Sequence, residues 1–209
     1  MAGLRDRKKQ QTHDALSSAA IGLFLERGFD QVSVADIAAA AAVSKPTLFK
    51  YFATKPDLVM HRIADHRHEA ARIVRESRPS TASPIEALHQ HFLGGLDERD
   101  PVTGLNDHPD VLAYYRLVFT TPALSTRMHE FMDSDERALA EALSSDLGTG
   151  LDLTAELTAS QVVSIQRVLA RRNWEALTTG TSAATRHPTA VTEASTAFNR
   201  LRQGLPEMA

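Results

Sequence analysis

Cysteine is absent from the 209 residues. This excludes disulfide cross-links, thiolate metal centres and a cysteine nucleophile, and it suits a reducing compartment. No run reaches the roughly 20 apolar residues that a membrane-spanning helix needs. The opening MAGLRDRKKQQTHD has no apolar stretch after its charges, so it does not read as a secretion signal. A soluble, cytoplasmic protein with no membrane partner is expected. Strict apolar/polar alternation is rare, which argues against half-buried strands. A large net charge is missing too, since the formal total is −3. Its distribution is uneven: residues 1–60 carry eight basic against six acidic side chains, and residues 61–209 carry 15 against 20. All five lysines lie at or before Lys55. Two parts that meet different partners are implied.

What is present is apolar spacing of three and four, so the chain reads as all-α with about nine helices and no internal repeat. Leu16, Ala20, Leu23 and Phe24 give a first apolar face over about Arg7–Arg27, closed by Gly28 as a C-cap. Ser33 with Asp36 forms a capping box ahead of a short alanine-rich helix whose buried side is Val34, Ile37 and Ala41. Ser44 caps the next helix, with Lys45 and Pro46 in its first turn and an end near Phe52. Thr54 with Asp57 repeats the capping box and opens a long helix to about Glu76, ended by RPSTASP. Ser83–Pro84 starts a helix carrying Ile85, Leu88, Phe92 and Leu96, followed by the polar loop DERDPVTGLNDHP. The remaining apolar segments are Val111–Phe119, Leu124–Leu147, Leu157–Leu177, and Val191–Leu205 after Pro188.

Val34–Tyr51 is thus two short helices joined by a tight turn, the second with a polar, cationic edge of Ser44, Lys45, Thr47, Lys50 and Tyr51. That is helix-turn-helix geometry, which frees the N-terminal side chains of the second helix for a major groove. The string LFLERGFDQVSVADIAAAAAVSKPTLFKYFATKPDL closely resembles the N-terminal domain of the TetR family of transcriptional regulators. The landmarks are Leu23-Phe24, Arg27-Gly28-Phe29, Ile37-Ala38, Val43-Ser44, Thr47-Leu48, Tyr51-Phe52 and Lys55 to Leu58, and the resemblance spans about residues 7–65. It implies that Ser33, Ser44, Tyr51 and Lys55 hold phosphates of double-stranded DNA, that Lys45 and Thr47 meet base edges, and that Lys50 serves either. Two departures stand out. Ala42 replaces the usual turn glycine, which either avoids a left-handed conformation or tolerates it at about 1 kcal/mol. Phe49 lacks the aromatic hydroxyl that relatives direct at a phosphate. Arg5, Arg7, Lys8 and Lys9 read as a basic arm ahead of the first helix, either on DNA or solvated.

The resemblance divides the chain into a DNA-binding domain at 1–55, with that arm, and a helical ligand-sensing and dimerisation domain at 56–209. It implies a repressor that binds a palindromic operator as a homodimer and is released by a small-molecule effector, with the helix from Thr54 as connecting lever. Physics carries the second half. The helix Gln161–Leu177 is apolar on two faces, Val162, Ile165 and Leu169 on one and Val163, Ala170, Trp174 and Leu177 on another, so it needs two partners. Val191, Ala194, Phe198, Leu201 and Leu205 form an approximate heptad seam. Val163, Ala170, Leu177, Val191, Ala194, Phe198 and Leu201 are therefore the expected dimer interface, resembling the family's four-helix arrangement. Phe92, Tyr115, Phe119, Met128, Phe131, Met132 and Trp174, with Arg116 as an anion anchor, are the candidate effector pocket; an ordinary core accounts for the same residue types. Nine histidines, among them His61, His66, His68, His89 and His91, raise a metal-responsive alternative. No compact ligand set is evident, so no metal and no cofactor are expected. No phosphate loop, nucleophile elbow or paired carboxylate suggests an enzyme. A sequence-nonspecific DNA-binding protein is the other alternative.

Overall fold

In the computed structural model, residues 2–77, 83–147 and 153–204 are described, and they form ten α-helices with no strand among them. The helices are α1 (Ala2–Arg27), α2 (Val34–Ala40), α3 (Lys45–Tyr51), α4 (Asp57–Met60), α5 (Glu69–Ser77), α6 (Pro84–Glu98), α7 (Pro109–Thr120), α8 (Pro122–Leu147), α9 (Leu153–Thr178) and α10 (Ala183–Gly204). Residues 78–82 of the expected breaker RPSTASP, and Leu205, lie outside the described residues.

The backbone folds as two compact units, Met1–Asp65 with Ala113–Glu130, and His66–Leu112 with Phe131–Ala209. In the first, Leu16, Ala20 and Phe24 on α1 are buried with Ile37, Ala38, Leu48, Phe52 and Leu58. Gly28 at φ 87° closes α1, its N–H donating to the Phe24 carbonyl at 2.9 Å. Segment 113–130 is tied in by two bonds: the Tyr114 hydroxyl donates to the Val59 carbonyl at 3.1 Å, and Arg127 donates to Asp57 at 2.7 Å. In the second unit, Ile85, Leu88, Phe92 and Leu96 on α6 are covered by Ala190, Ala194, Phe198 and Leu201 on α10 and by α5, while α9 packs on α10.

Four expectations are corrected. The basic segment is not an arm ahead of a helix, because α1 already begins at Ala2 and includes it. Ile37 and Ala38 form the buried side of α2, with Val34 and Ala41 only half-buried. The long helix from Thr54 is broken: α4 is a single turn, 61–66 continue as a 3-10 helix, and His68 takes a left-handed φ of 56° before α5. Asp135 holds that break by accepting the His68 backbone N–H at 2.9 Å, so an uninterrupted lever is absent. Finally, α10 starts at Ala183 and carries Pro188 within it. Ser182 caps this start, accepting the Thr185 N–H at 3.2 Å, and the helix continues through Pro188.

Candidate nucleic-acid interface

Local chemistry sets the two short helices. Ser33 accepts the Asp36 N–H at 3.1 Å while Asp36 accepts the Ser33 N–H at 2.8 Å, a complete capping box. Ser44 accepts the Thr47 N–H at 3.2 Å. Between them Ala42 adopts φ 53°, so the turn does use a left-handed residue without glycine, and Val43 N–H closes it onto the Ala38 carbonyl at 2.9 Å. Leu48 and Phe52, both buried, seat α3 on its neighbours.

With that face inward, Ser33, Ser44, Lys45 and Lys50 are exposed, and Thr47, Tyr51 and Lys55 are half-buried. Among the described residues Lys45 and Lys50 have neither a hydrogen bond nor an ion pair. No acid occurs between Asp36 and Asp57, a stretch of twenty residues containing three lysines. The Ser44 and Thr47 hydroxyls pair with each other at 2.7 Å. Lys55 turns inward. Its ammonium donates to the Phe29 carbonyl and lies 4.2 Å from the Phe29 ring centroid and 5.3 Å from that of Phe24. Partial burial there lowers its pKa.

A polar cluster that sequence reasoning missed supports the C-terminal end of α3. His13 on α1 packs its ring against Phe52 at 4.1 Å and edge-on to Tyr51 at 5.9 Å. Its Nδ1 lies 3.0 Å from Nδ1 of His61, whose Nε2 lies 2.8 Å from Asp14. Burial and then the His61 charge hold the His13 pKa below its ordinary value. The signal was available: His13 shares an i, i+3, i+4 face with the buried Leu16 and Ser17. An open groove of about 400 Å³ beside the cluster is lined by Asp14, Ser17, Ser18, His61 and Arg62. Among the described residues no three His, Asp or Glu side chains are placed to hold a metal ion.

Residues 16–61 match the N-terminal model of the bacterial regulatory proteins, tetR family. The transcriptional regulator TcmR of Streptomyces glaucescens is 32% identical over 151 residues, covering 72% of this chain and 66% of TcmR. The chain belongs to the TetR family by this N-terminal domain. YdeS of Bacillus subtilis, an uncharacterised HTH-type regulator, is 34% identical over 92 residues, 44% of each chain. The chain thus spans about two thirds or less of these relatives' lengths. In fold it is similar to the crystal structure of NalD, the secondary repressor of the MexAB-OprM multidrug efflux pump in Pseudomonas aeruginosa. That likeness has a TM-score of 0.59 at 17% identity, over 90% of this chain and 97% of NalD.

Outside the TetR-type motif, the other candidates are divided between the two units. Of the expected pocket residues, Tyr115, Arg116, Phe119 and Met128 belong to the first unit, and Phe92, Phe131, Met132 and Trp174 to the second. Phe92 and Tyr115 are buried and Arg116 is exposed. Tyr115 stacks on Phe119 at 5.6 Å, and Phe131 takes the Arg67 guanidinium over its ring at 4.8 Å. None of the eight lines the groove beside His61, nor one of about 250 Å³ between α9 and α10 bordered by Arg172, Glu193 and Arg200. Of the expected dimer residues, Leu177, Ala194, Phe198 and Leu201 are buried within their own chain, while Val163, Ala170 and Val191 are half-buried. Phe198 stacks on His89 of α6 at 5.0 Å. Ala194, Phe198 and Leu201 of the α10 seam pack against α6, and the apolar side chains left exposed on α9 are Leu153, Leu157 and Val168.

Proposed function

We propose that the chain is a cytoplasmic repressor that binds a palindromic duplex operator as a homodimer and is released by a small-molecule effector. The observation that carries the reading is the acid-free stretch 37–56 with Lys45 and Lys50 exposed on α3 and unpaired among the described residues. Cations without counter-charges are what a phosphate backbone neutralises on binding. In this reading Lys45 and Thr47 approach base edges and Lys50 a base or a phosphate, while Ser33, Ser44 and Tyr51 hold phosphates. Lys55 reaches a phosphate only by releasing the Phe29 carbonyl. Residues 1–55 read DNA, and 56–209 sense and pair.

A seven-residue helix reads a few base pairs, so specificity needs two half-sites about 34–36 Å apart. Pairing through Leu153, Leu157 and Val168 on α9 would supply the second copy. The effector acts by as much as its affinity differs between the DNA-bound and free forms.

The test is selection of bound sites from random duplex DNA at near-physiological salt, with a Lys45→Ala, Lys50→Ala variant alongside. A palindrome bound by the wild type and lost by the variant is expected. Equal, sequence-independent binding by both proteins would sink specific recognition and favour a nonspecific DNA binder.

A further inference from the structure

Five large apolar side chains are exposed among the described residues, and one of them, Phe49, lies on α3. It is 47% exposed. Leu48 beside it in sequence is buried and fixes the rotation of the helix, so the Phe49 ring is held on the outside. Lys45 is one turn earlier on the same flank and Lys50 is its neighbour; both are exposed and unpaired among the described residues. An aromatic surface set between two free ammonium groups, with no acid for twelve residues before it or seven after it, is matched to a polyanion that also offers something apolar.

Phe49 has no hydrogen-bonding atom in its side chain and cannot bind a phosphate or the polar edge of a base. In the major groove the apolar feature is the 5-methyl group of thymine. We propose that Phe49 is a specificity-determining residue that covers the methyl group of one thymine in each half-site, a proposal that rests on the DNA-reading function above. The lysines on either side bind through charge and place the ring; the ring itself reads the methyl. A lone lysine pair would grip any sequence, whereas this ring rejects a pyrimidine that lacks the methyl.

Replacing thymine by deoxyuridine removes that methyl and nothing else. In the selected operator, each symmetric pair of thymines is replaced in turn, and binding of wild type and Phe49→Ala is titrated at fixed salt. One position is expected at which uracil weakens the wild type about fourfold per half-site, the value of one buried methyl-sized group. Phe49→Ala should bind the thymine duplex as weakly as the wild type binds the uracil duplex, and should not distinguish them. Phe49→Leu keeps an apolar side chain and should keep part of the preference; melting curves verify that both variants fold. Equal wild-type affinity for thymine and uracil at every position, a selected site without thymine, or a Phe49→Ala variant that still discriminates would each overturn the assignment. Failure to select any sequence from random DNA overturns the DNA-reading function itself, and is distinguished by the absence of preference in unsubstituted duplexes.

Discussion

The recognition helices and the second unit treat charge in opposite ways. On α3 the cations face outward with no counter-charge among the described residues, whereas many of the second unit's arginines are neutralised within it. There Arg172 and Arg186 both bond Glu193, Arg186 reaches the Asn173 side chain at 3.0 Å, and Asn173 donates to the Thr103 carbonyl at 2.9 Å. Arg202 pairs with Glu86, and Asp107 accepts the Ala183 N–H at 2.8 Å. His66 bonds Glu69 at 2.9 Å, His91 lies 3.6 Å from it, and the two hold its carboxyl well below the usual range. Groups satisfied internally build a scaffold, and groups left unsatisfied mark a surface awaiting a partner.

The sharpest way to break the contrast is Gly104→Ala. Gly104 sits at φ +71°, and a Cβ there would meet the Ala170 carbonyl oxygen at 1.9 Å, so backbone must move. A loss of about 4 kcal/mol is expected in chemical denaturation; an undisturbed midpoint would mean that the loop is not docked on α9. Next, Phe198→Ala should cost about 3–4 kcal/mol by leaving a cavity. If the residue served the dimer instead, the loss would appear as concentration-dependent dissociation of folded protomers, which analytical ultracentrifugation detects. On the binding side, Lys50→Ala should weaken DNA binding about tenfold and flatten its salt dependence by about one unit per protomer, with melting unchanged.

Histidines give a smaller comparison, one from each unit. His89, buried with no hydrogen-bond partner on either ring nitrogen among the described residues, and His13 both have pKa values below the ordinary 6.5, in each case chiefly through burial. Their unfolded forms take up protons below pH 6.5 that the folded forms resist. Stability is therefore full above that pH and falls as pH drops from 6.5 towards the folded values. His89→Leu should flatten this acid loss without harming stability at pH 7.5; a steeper loss would refute the sign. Smallest is Ala42→Gly, expected to gain roughly 0.5 kcal/mol by relieving the left-handed turn, offset by added freedom in the unfolded chain.

The sequence disclosed structure where one turn of chain decides the outcome. Ser33–Asp36 and Ser44–Thr47 are local bonds, so α2 and α3 could be read to within a residue or two. Long-range packing was not readable in the same way. The α10 seam of Ala194, Phe198 and Leu201 has the same spacing whether it covers α6 or a second copy. The break at His68 depends on Asp135, 67 residues away in sequence. Lys55 reads as a free cation until the Phe24 and Phe29 rings are placed beneath it. The charge pattern on α3 was legible, but Phe49 registered only as a missing hydroxyl, because its exposure is a property of the packed helix.

One feature of the first unit bears on how the protein is made. Its helices near the N-terminus are joined by segment 113–130, through Tyr114 to Val59 and Arg127 to Asp57. A ribosome therefore releases the recognition helices long before it has synthesised the segment that completes their unit, and 47 residues of the second unit's chain emerge in between. Successive domains usually fold in the order in which they are made; here the bonds from Tyr114 and Arg127 close the first unit only once that later segment has been synthesised.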